Sequence, residues 1–576
     1  MSLTETPTEE IEGQAAAPEA EVVPPSLGGG AAANDHKAVG SAYLGFALLF
    51  LVVGGVLALL MRAQLTGPDG TLLSDQEYRS LFTFHGTFSV FLFLLPAWVG
   101  LATMVVPLQI GAGRLAFPRL QTMCLWLTVV GGGLITATPF VPGAKRIISG
   151  WALSQPIPGG ANFRGDAVEY LVLGIAVVLA ATVAAAANLV VTIVKLRAPG
   201  LTARRMPLFS WSALVSGFVL LLALPVLIAL MGMLYVDHHY GAQLFSGFTG
   251  SRGGVPAMWS RLFWFGAYPM LWSFVILALG VGSDALPVFA GRPIADRVKA
   301  MAALGAVGVL AFFGWGSEVT DLPRSRLFFA AGALVVLAPA ASVLVNWLLT
   351  LRAAAAERGR DEVRQGLTAT PMLFVLGMLT VLAAGLGASA VSAAAAGRSY
   401  HTDYWQVGQQ HLMYFAPATL AIAAAAHFWG PKVWGRHLSP MMGKLEVLLL
   451  TGGAHLAFLP ALVLGLQNMP VQASAYDAGE GWQAMNLAMS AGAAVFALGA
   501  LVFTLDVLVS VAMRKGRPAD PDPWSGHTLE WTAPTPLPRH NFDRVPEVRS
   551  ATPALDLRAA GTPAASPGVA EEVVGA

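Results

Sequence analysis

The sequence has few charged residues and almost no cysteine. Asp, Glu, Lys and Arg together make up 12% of the 576 residues, whereas 55% of the residues are hydrophobic, and the mean hydropathy is +0.63. So few charges cannot cover a water-soluble chain of this length, and the composition is typical of integral membrane proteins. The single cysteine, Cys124, excludes a disulfide or a cysteine-ligated metal cluster within the chain.

The charges that are present nearly cancel. Lys and Arg number 34 and Asp and Glu number 33, so the formal net charge is +1. Without a basic patch the chain has no electrostatic footprint for nucleic acid, and we expect none as a partner. The acidic start, MSLTETPTEEIEG, lacks the basic and apolar parts of a signal peptide. We therefore interpret residues 1–36 as a disordered tail and predict a second one at 551–576.

Twelve mostly apolar stretches of about 18 residues or more follow one another along the chain, and each could cross about 30 Å of hydrocarbon as a helix. We place them near residues 40–62, 82–108, 120–139, 168–194, 208–234, 259–289, 298–316, 327–352, 369–392, 404–430, 443–466 and 483–513. Only helices or closed barrels satisfy their backbone groups in lipid. The sequence therefore predicts an all-α integral membrane protein with its transmembrane domain over 37–517.

Lysine and arginine are concentrated in alternate loops between the predicted spans. The positive-inside bias assigns the basic side to the cytoplasm. Both tails then lie on that side, which an even number of spans also requires. We expect the protein in a bacterial plasma membrane with both tails cytoplasmic.

Four histidines lie within predicted spans, at His85, His411, His427 and His455. An imidazole in lipid is costly and usually faces the bundle interior, so these are the first candidates for a functional site. The plainer alternative for each is a neutral ring bonded to a backbone carbonyl, and we keep it for His427, which lies near a span end. Two imidazoles from separate helices are the ligands of a six-coordinate low-spin haem.

The runs around His85 and His411 are rich in aromatic residues, FTFHGTFSVF and QQHLMYF. Gly86 follows the first histidine, and a glycine there would let a flat macrocycle approach the helix backbone. The spacing of His85 and His411 does not decide whether they bind a haem or are structural histidines bonded to backbone carbonyls.

Several motifs, in order along the chain, resemble subunit I of the haem–copper oxidase superfamily, of the cytochrome c oxidase type. They are LLMRAQLTGPDGTLLSDQEY with FTFHGTFSVFLFLLPAWVG, then HTDYWQVGQQHLMYF, PKVWGRHLSPMMGK, LGLQNMP and DPWSGHTLEWTAPTPLPRHNF. The resemblance implies a bundle of twelve helices and a cytoplasmic family segment over 518–550. It also implies electron transfer in a respiratory chain, with other membrane subunits and cytochrome c or a copper-domain donor as partners.

The resemblance assigns roles to three residues of this chain. His85 and His411 fall on the positions that ligate the low-spin haem, and Arg62 falls on the arginine that contacts a peripheral substituent of that haem. His401 matches a histidine of the family's magnesium region, although the acidic residue expected directly after it is displaced to Asp403.

The copper site of the family has no counterpart here. Tyr268 stands at the position of the copper histidine in the sixth span, and Met270 and Trp272 replace the glutamate and tyrosine that follow it. Phe312 and Phe313 stand at or beside the histidine pair of the seventh span. A phenylalanine side chain has no lone pair to offer a metal, so copper is not expected.

Other functional positions of the family are also replaced. Gln409 stands at the high-spin haem ligand, which makes a second haem doubtful. Val343 and Arg114 stand where the two proton-uptake paths have a lysine and an aspartate, whereas Asn188 of one path is retained. We therefore expect a chain with one low-spin haem, of type a or b, that neither reduces oxygen nor pumps protons itself.

Two alternatives stay open at this point. The first is an active terminal oxidase whose sixth and seventh spans align differently from our reading, and carbon monoxide binding would favour it. The second is a haem-free scaffold subunit of a respiratory complex, which would purify without a Soret band.

Overall fold

The computed structural model describes residues 34–153, 166–245, 256–319, 326–395 and 403–561. His401, the first 33 residues and residues 562–576 lie outside these ranges. The helices are α1 His36–Gln64, α2 Asp75–Ile110, α3 Pro118–Phe140, α4 Ala167–Lys195, α5 Leu208–Tyr240, α6 Pro256–Ala290, α7 Arg297–Leu310, α8 Arg326–Arg358, α9 Arg360–Leu367, α10 Thr370–Ala394, α11 Tyr404–Trp434, α12 Pro440–Leu466, α13 Gln483–Ala512 and α14 Pro553–Ala559. Within the described ranges no strand forms beyond two isolated bridges.

Eleven of these helices, all except α7, α9 and α14, are long and apolar enough to cross a membrane. The predicted all-α membrane architecture is therefore confirmed. The seventh predicted span is not one long α-helix like the others, because α7 has only 14 residues and rises about 21 Å. Two 3₁₀ turns, Ala311–Phe313 and Trp315–Glu318, continue it.

Three helices form the centre of the bundle. In the apolar windows of α2, α11 and α6, 100%, 94% and 83% of the residues are buried, against 33–61% in the other spanning helices of the described ranges. The outer helices expose large apolar side chains such as Trp126 and Leu222, which suits a surface that faces lipid. The candidate haem ligands lie on two of the central helices.

Neighbouring helices in the chain are mostly neighbours in space. The contact between α12 and α13 is the most extensive, and α3, α4, α5 and α6 pack in succession. Helix α1 contacts both α2 and α13, so the first and last spanning helices lie side by side. Helix α11 contacts α2, α6, α10 and α12, which gives it a central position.

Both central helices that carry a candidate haem histidine widen into a π-helical segment. These segments are Phe88–Leu94 in α2 and His411–Phe415 in α11. Pro96 and Pro417 follow them. A proline lacks the N–H that would bond to the carbonyl four residues earlier and crowds that carbonyl. The displaced backbone bonds account for the wider turns beside the two histidines.

The C-terminal segment differs from the predicted tail. Residues 553–559 form helix α14, with Pro553 and Ala554 buried, and Ala554 N–H donates to the carbonyl of His527 over 3.2 Å. The prediction of a disordered tail from residue 551 is therefore wrong as far as 561. His36, which we assigned to the other tail, is the buried first residue of α1.

Candidate haem site

The imidazoles of His85 and His411 face each other between α2 and α11. Their ring centroids lie 6.2 Å apart, and the ring planes differ by only 6°. Two metal–nitrogen bonds of about 2 Å, with about 1 Å from each nitrogen to its ring centre, add up to about 6 Å. The separation of the two rings therefore suits one metal ion bound between them.

Hydrogen bonds fix which nitrogen of each imidazole is available. Nδ1 of His85 donates to the carbonyl of Gly54 on α1 over 3.0 Å. Nδ1 of His411 donates to the carbonyl of Val407, one turn earlier on α11, over 2.8 Å. Because each proton is held on Nδ1, the lone pair of each ring is on Nε2, where a metal can bind it. A second hydrogen bond of this kind is what orients metal-ligating histidines.

The surroundings of the pair are mainly aromatic. His85 and His411 are each half-buried although they lie on central helices. Aromatic rings complete the surroundings on one side, with the centroid of Phe458 4.4 Å and that of Phe415 5.5 Å from the His411 ring. The donor atoms, their spacing and this apolar lining fit a haem.

Glycine 86 does not provide the space that we expected. A Cβ built on Gly86 would lie 2.8 Å from Cβ of Trp151. The indole of Trp151 therefore occupies the volume in front of this glycine, and the interpretation of Gly86 as an approach point for a macrocycle is wrong. The glycine is needed for the packing of the loop after α3.

Arg62 lies near the end of α1 with its charge buried. Its Nη2 donates to the backbone and side-chain oxygens of Asn486 over 2.9 and 2.8 Å. Its Nε donates to Ser490 over 3.2 Å and its Nη1 to Tyr404 over 3.4 Å. These partners are all neutral, and a buried charge without an opposite charge is costly. The guanidinium is therefore suited to compensate an anionic or polar group of a bound ligand.

Aromatic side chains fill the space around the positions of the sixth and seventh spans at which the resemblance predicts that the copper ligands are replaced. The ring of Trp272 lies 6.4 Å from that of Tyr268 and 6.1 Å from that of Tyr414. Phe312 packs 6.1 Å from Phe265. Only Phe313 of this group turns away, with 46% of its surface exposed.

Met270, Gln409 and Val343 are buried between helices. The side chain of Met270 and that of Val343 are fully covered. Oε1 of Gln409 accepts from Ser392 over 3.0 Å, and its Nε2 donates to Ser389 over 3.2 Å. Both ends of the Gln409 amide are thus engaged with α10, and the residue joins two helices.

The two remaining family positions lie in and beside the loop after α2. Arg114 is exposed there. The Asn188 amide on α4 accepts from Phe117 N–H over 2.9 Å and donates to the Phe117 carbonyl over 3.0 Å. Asn188 therefore holds the end of this loop in place.

A separate polar cluster was not anticipated as a group. His427, Glu446 and Asp506 are all buried and lie together, whereas the sequence alone favours a structural role for His427 and does not single out Glu446. A glutamate within the apolar run KLEVLLL was the signal that could have found it.

Comparisons with known proteins agree with the motifs. The family described as Cytochrome C and Quinol oxidase polypeptide I matches residues 38–495. The putative cytochrome c oxidase subunit 1-beta of Streptomyces coelicolor is 34% identical over 532 residues, 92% of this chain and 90% of that protein. The cytochrome c oxidase subunit 1 of Bacillus subtilis is 32% identical over 538 residues, covering 92% and 83%. The quinol oxidase subunit 1 of the same organism is 31% identical over 530 residues, covering 91% and 79%. The chain therefore belongs to the haem–copper oxidase subunit I family, whose members are haem-containing membrane proteins of electron transport.

Proposed function

We propose that this chain is an electron-transfer member of its family that holds one low-spin haem, of type a or b, between His85 and His411, and that it does not itself reduce oxygen or pump protons. One observation carries the haem assignment. The two imidazoles are parallel, 6.2 Å apart, and both have Nδ1 engaged by a backbone carbonyl.

The haem would supply a one-electron couple, and the chain would set its surroundings. The carbonyls of Gly54 and Val407 accept hydrogen bonds from Nδ1–H of His85 and His411, which keeps Nε2 of each histidine available to bind iron. Arg62 offers a buried positive charge to a substituent of the ring. Phe415 and Phe458 limit the access of water to His411.

The chemistry of the replaced residues supports the absence of oxygen reduction. A haem held by both His85 and His411 would have no free ligand position for oxygen. At the copper-histidine positions, Phe312 offers no donor atom, and Tyr268 offers only a phenol, whose ring packs against that of Trp272. Gln409, at the second haem ligand, has both ends of its amide bonded to serines.

Proton pumping would need groups that bind and release protons along a path through the membrane. Val343, at one of the two family positions, cannot carry a proton, and Arg114 at the other stays charged. Neither replacement supports a proton-uptake path.

The proposed partners are other membrane subunits of a respiratory complex and a donor that is either cytochrome c or a copper domain. We place the chain in a bacterial plasma membrane with both termini on the cytoplasmic side. This orientation requires a twelfth crossing, which α7 makes together with the two 3₁₀ turns that continue it to Glu318. Fusions of a reporter enzyme to each terminus test the orientation.

Spectroscopy of the purified protein tests the haem proposal. We expect a reduced-minus-oxidised spectrum of a low-spin haem that carbon monoxide leaves unchanged, one haem per chain by the pyridine haemochrome assay, and no stoichiometric copper. A carbon monoxide difference spectrum together with one copper per chain would instead establish the active oxidase. Purified, folded protein without a Soret band would establish the haem-free scaffold.

A further inference from the structure

Three titratable side chains outside the haem site converge from three helices. His427 comes from α11, Glu446 from α12 and Asp506 from α13, and each is buried. One ligand atom from each lies within 4.8 Å of the other two. His427 is 16 residues beyond His411 on the same helix, or about 24 Å along it. The cluster is therefore separate from the haem site.

The charges of this cluster do not balance. Two carboxylates meet one imidazole, and the ion pairs of the described residues include no lysine or arginine bonded to Glu446 or Asp506. Nε2 of His427 lies 3.0 Å from Oε2 of Glu446. Oε1 of Glu446 has no hydrogen-bond partner among the described residues, although the side chain is completely buried. Buried carboxylates in this state need a bound cation or a shared proton.

Surrounding groups hold the three side chains in position. Asp506 accepts from Ser439 N–H over 3.0 Å and from the Ser510 hydroxyl over 2.7 Å. The His427 ring lies 5.3 Å from that of Phe374. A Cβ on Gly443 would come within 2.6 Å of the imidazole, so a side chain there would displace the ring. Such supporting contacts are typical of metal ligands.

We propose that His427, Glu446 and Asp506 bind one Zn²⁺ ion that fastens α11, α12 and α13 together. One imidazole nitrogen and two carboxylate oxygens are ligands that zinc accepts, with water in the fourth position. Ligand atoms about 2 Å from one ion lie roughly 3.3 Å apart, and the His427–Glu446 pair is already close to that distance. The cation neutralises the two carboxylates and uses Oε1 or Oε2 of Glu446.

The cluster lies near one end of the bundle. Glu446 lies six residues after Pro440, where α12 begins, or about 9 Å along the helix. Asp506 lies next to Ser510, in the last turns of α13. The proposal rests on these contacts alone and does not depend on the haem assignment.

Zinc binding to the purified full-length protein tests this proposal. The protein is stripped with a chelator, supplied with Zn²⁺ alone, separated from free metal and subjected to elemental analysis. We expect one zinc per chain, with nitrogen and oxygen ligands by X-ray absorption. Glu446→Gln keeps the size of the side chain and removes one ligand charge, and we expect it to weaken binding by at least about tenfold. His427→Ala should do the same.

His455→Ala is the matched control, because His455 also lies in a spanning helix and its one hydrogen bond among the described residues is to the backbone carbonyl of Thr451. It should keep the zinc. Elution volume and helical circular dichroism show that each variant is folded. If wild-type protein binds no more zinc than Glu446→Gln, or if an infrared carbonyl band of a protonated carboxyl disappears in Glu446→Gln, the proposal is overturned in favour of a shared proton.

Discussion

A backbone carbonyl decides which nitrogen of each candidate haem ligand is free. The Nδ1 protons of His85 and His411 are held by the carbonyls of Gly54 and Val407. The sequence identified both histidines but not these acceptors. No side chain marks the Gly54 carbonyl, which approaches from another helix, or shows that His411 bonds to the Val407 carbonyl one turn earlier on its own helix. It also could not show that Trp151 fills the space before Gly86.

Replacing His411 by alanine should release the haem, because His85 alone cannot complete an axial pair. We expect haem per chain to fall from about one to near zero in His411→Ala, measured by the pyridine haemochrome assay. His455→Ala removes a histidine at comparable burial that serves no iron, and it should keep the haem. Full haem retention in His411→Ala would contradict the proposed ligand pair.

Replacing Arg62 by glutamine should change the potential of the haem rather than its binding. The buried guanidinium favours the reduced form, which carries one positive charge fewer than the oxidised form. We expect the midpoint potential in a redox titration to fall by an amount on the order of tens of millivolts. Arg79→Gln, at an exposed arginine paired with Asp75, should leave it unchanged. Equal midpoint potentials in Arg62→Gln and wild type would mean that Arg62 does not interact with the haem.

At the scale of the helices, the sequence predicted most of the fold. Long apolar runs have few alternatives in lipid, so the order and approximate limits of the spans follow from hydropathy. Local deviations from regular helices do not follow from hydropathy. The π-helical segments depend on how the helix adapts before Pro96 and Pro417, and the shortened α7 depends on 3₁₀ turns that hydropathy does not distinguish. The hydrogen bonds from Gln409 to two serines of α10 could not be predicted from the sequence, because they depend on how the helices pack.

The close packing of α13 against α12 depends on glycine. A Cβ on Gly492 of α13 would lie 2.2 Å from the backbone nitrogen of Ala457 in α12. We expect Gly492→Ala to destabilise the protein by about 1–3 kcal/mol, because the contact is with backbone that cannot rotate away. The measurement is the thermal denaturation midpoint in detergent.

Gly452→Ala is the control for this change. It lies in the α12 helix with nothing within 4 Å of the added carbon. Alanine is the better helix former by about 1 kcal/mol, so this variant should denature at an equal or higher temperature. A lower midpoint in Gly452→Ala than in Gly492→Ala would contradict the packing of α12 against α13.

At the scale of the whole molecule, the C-terminal segment connects distant parts of the chain. Oε1 of Glu530 accepts from Gln109 on α2 over 3.1 Å and from Trp429 on α11 over 2.9 Å. The Asn541 amide lies 2.8 Å from Nε2 of His36 and donates to the carbonyl of Ala112 over 2.7 Å. The sequence marked 518–550 as a family segment, but the partners of its polar side chains could not be read from it.

Glu530 should make stability depend on pH. Burial, followed by the nearby Asp284 carboxylate, raises the pKa of Glu530 from an ordinary 4.5 to about 7. Between these values the folded protein keeps a proton that the unfolded chain has released. The contribution of Glu530 to the free energy of unfolding is therefore complete below about pH 4.5. It is lost as the pH rises through 7, a change of roughly 3 kcal/mol. Glu530→Gln removes this dependence.

The difference in stability between wild type and Glu530→Gln isolates the contribution of Glu530. His527, whose pKa burial lowers to about 4, has the opposite dependence, but it is present in both and cancels. We expect the thermal midpoint of Glu530→Gln minus that of wild type to increase from pH 5 to pH 8. A constant difference would mean that the Glu530 carboxyl is ionised throughout.

The bond between Asn541 and His36 joins residues 505 positions apart. Asn541 is synthesised after every spanning helix, whereas His36 begins the first one. Their bond can therefore form only after all the spanning helices have been made. A transcript with a premature stop codon near position 515 would yield every spanning helix but leave Gln109 and Lys432 without their C-terminal partners.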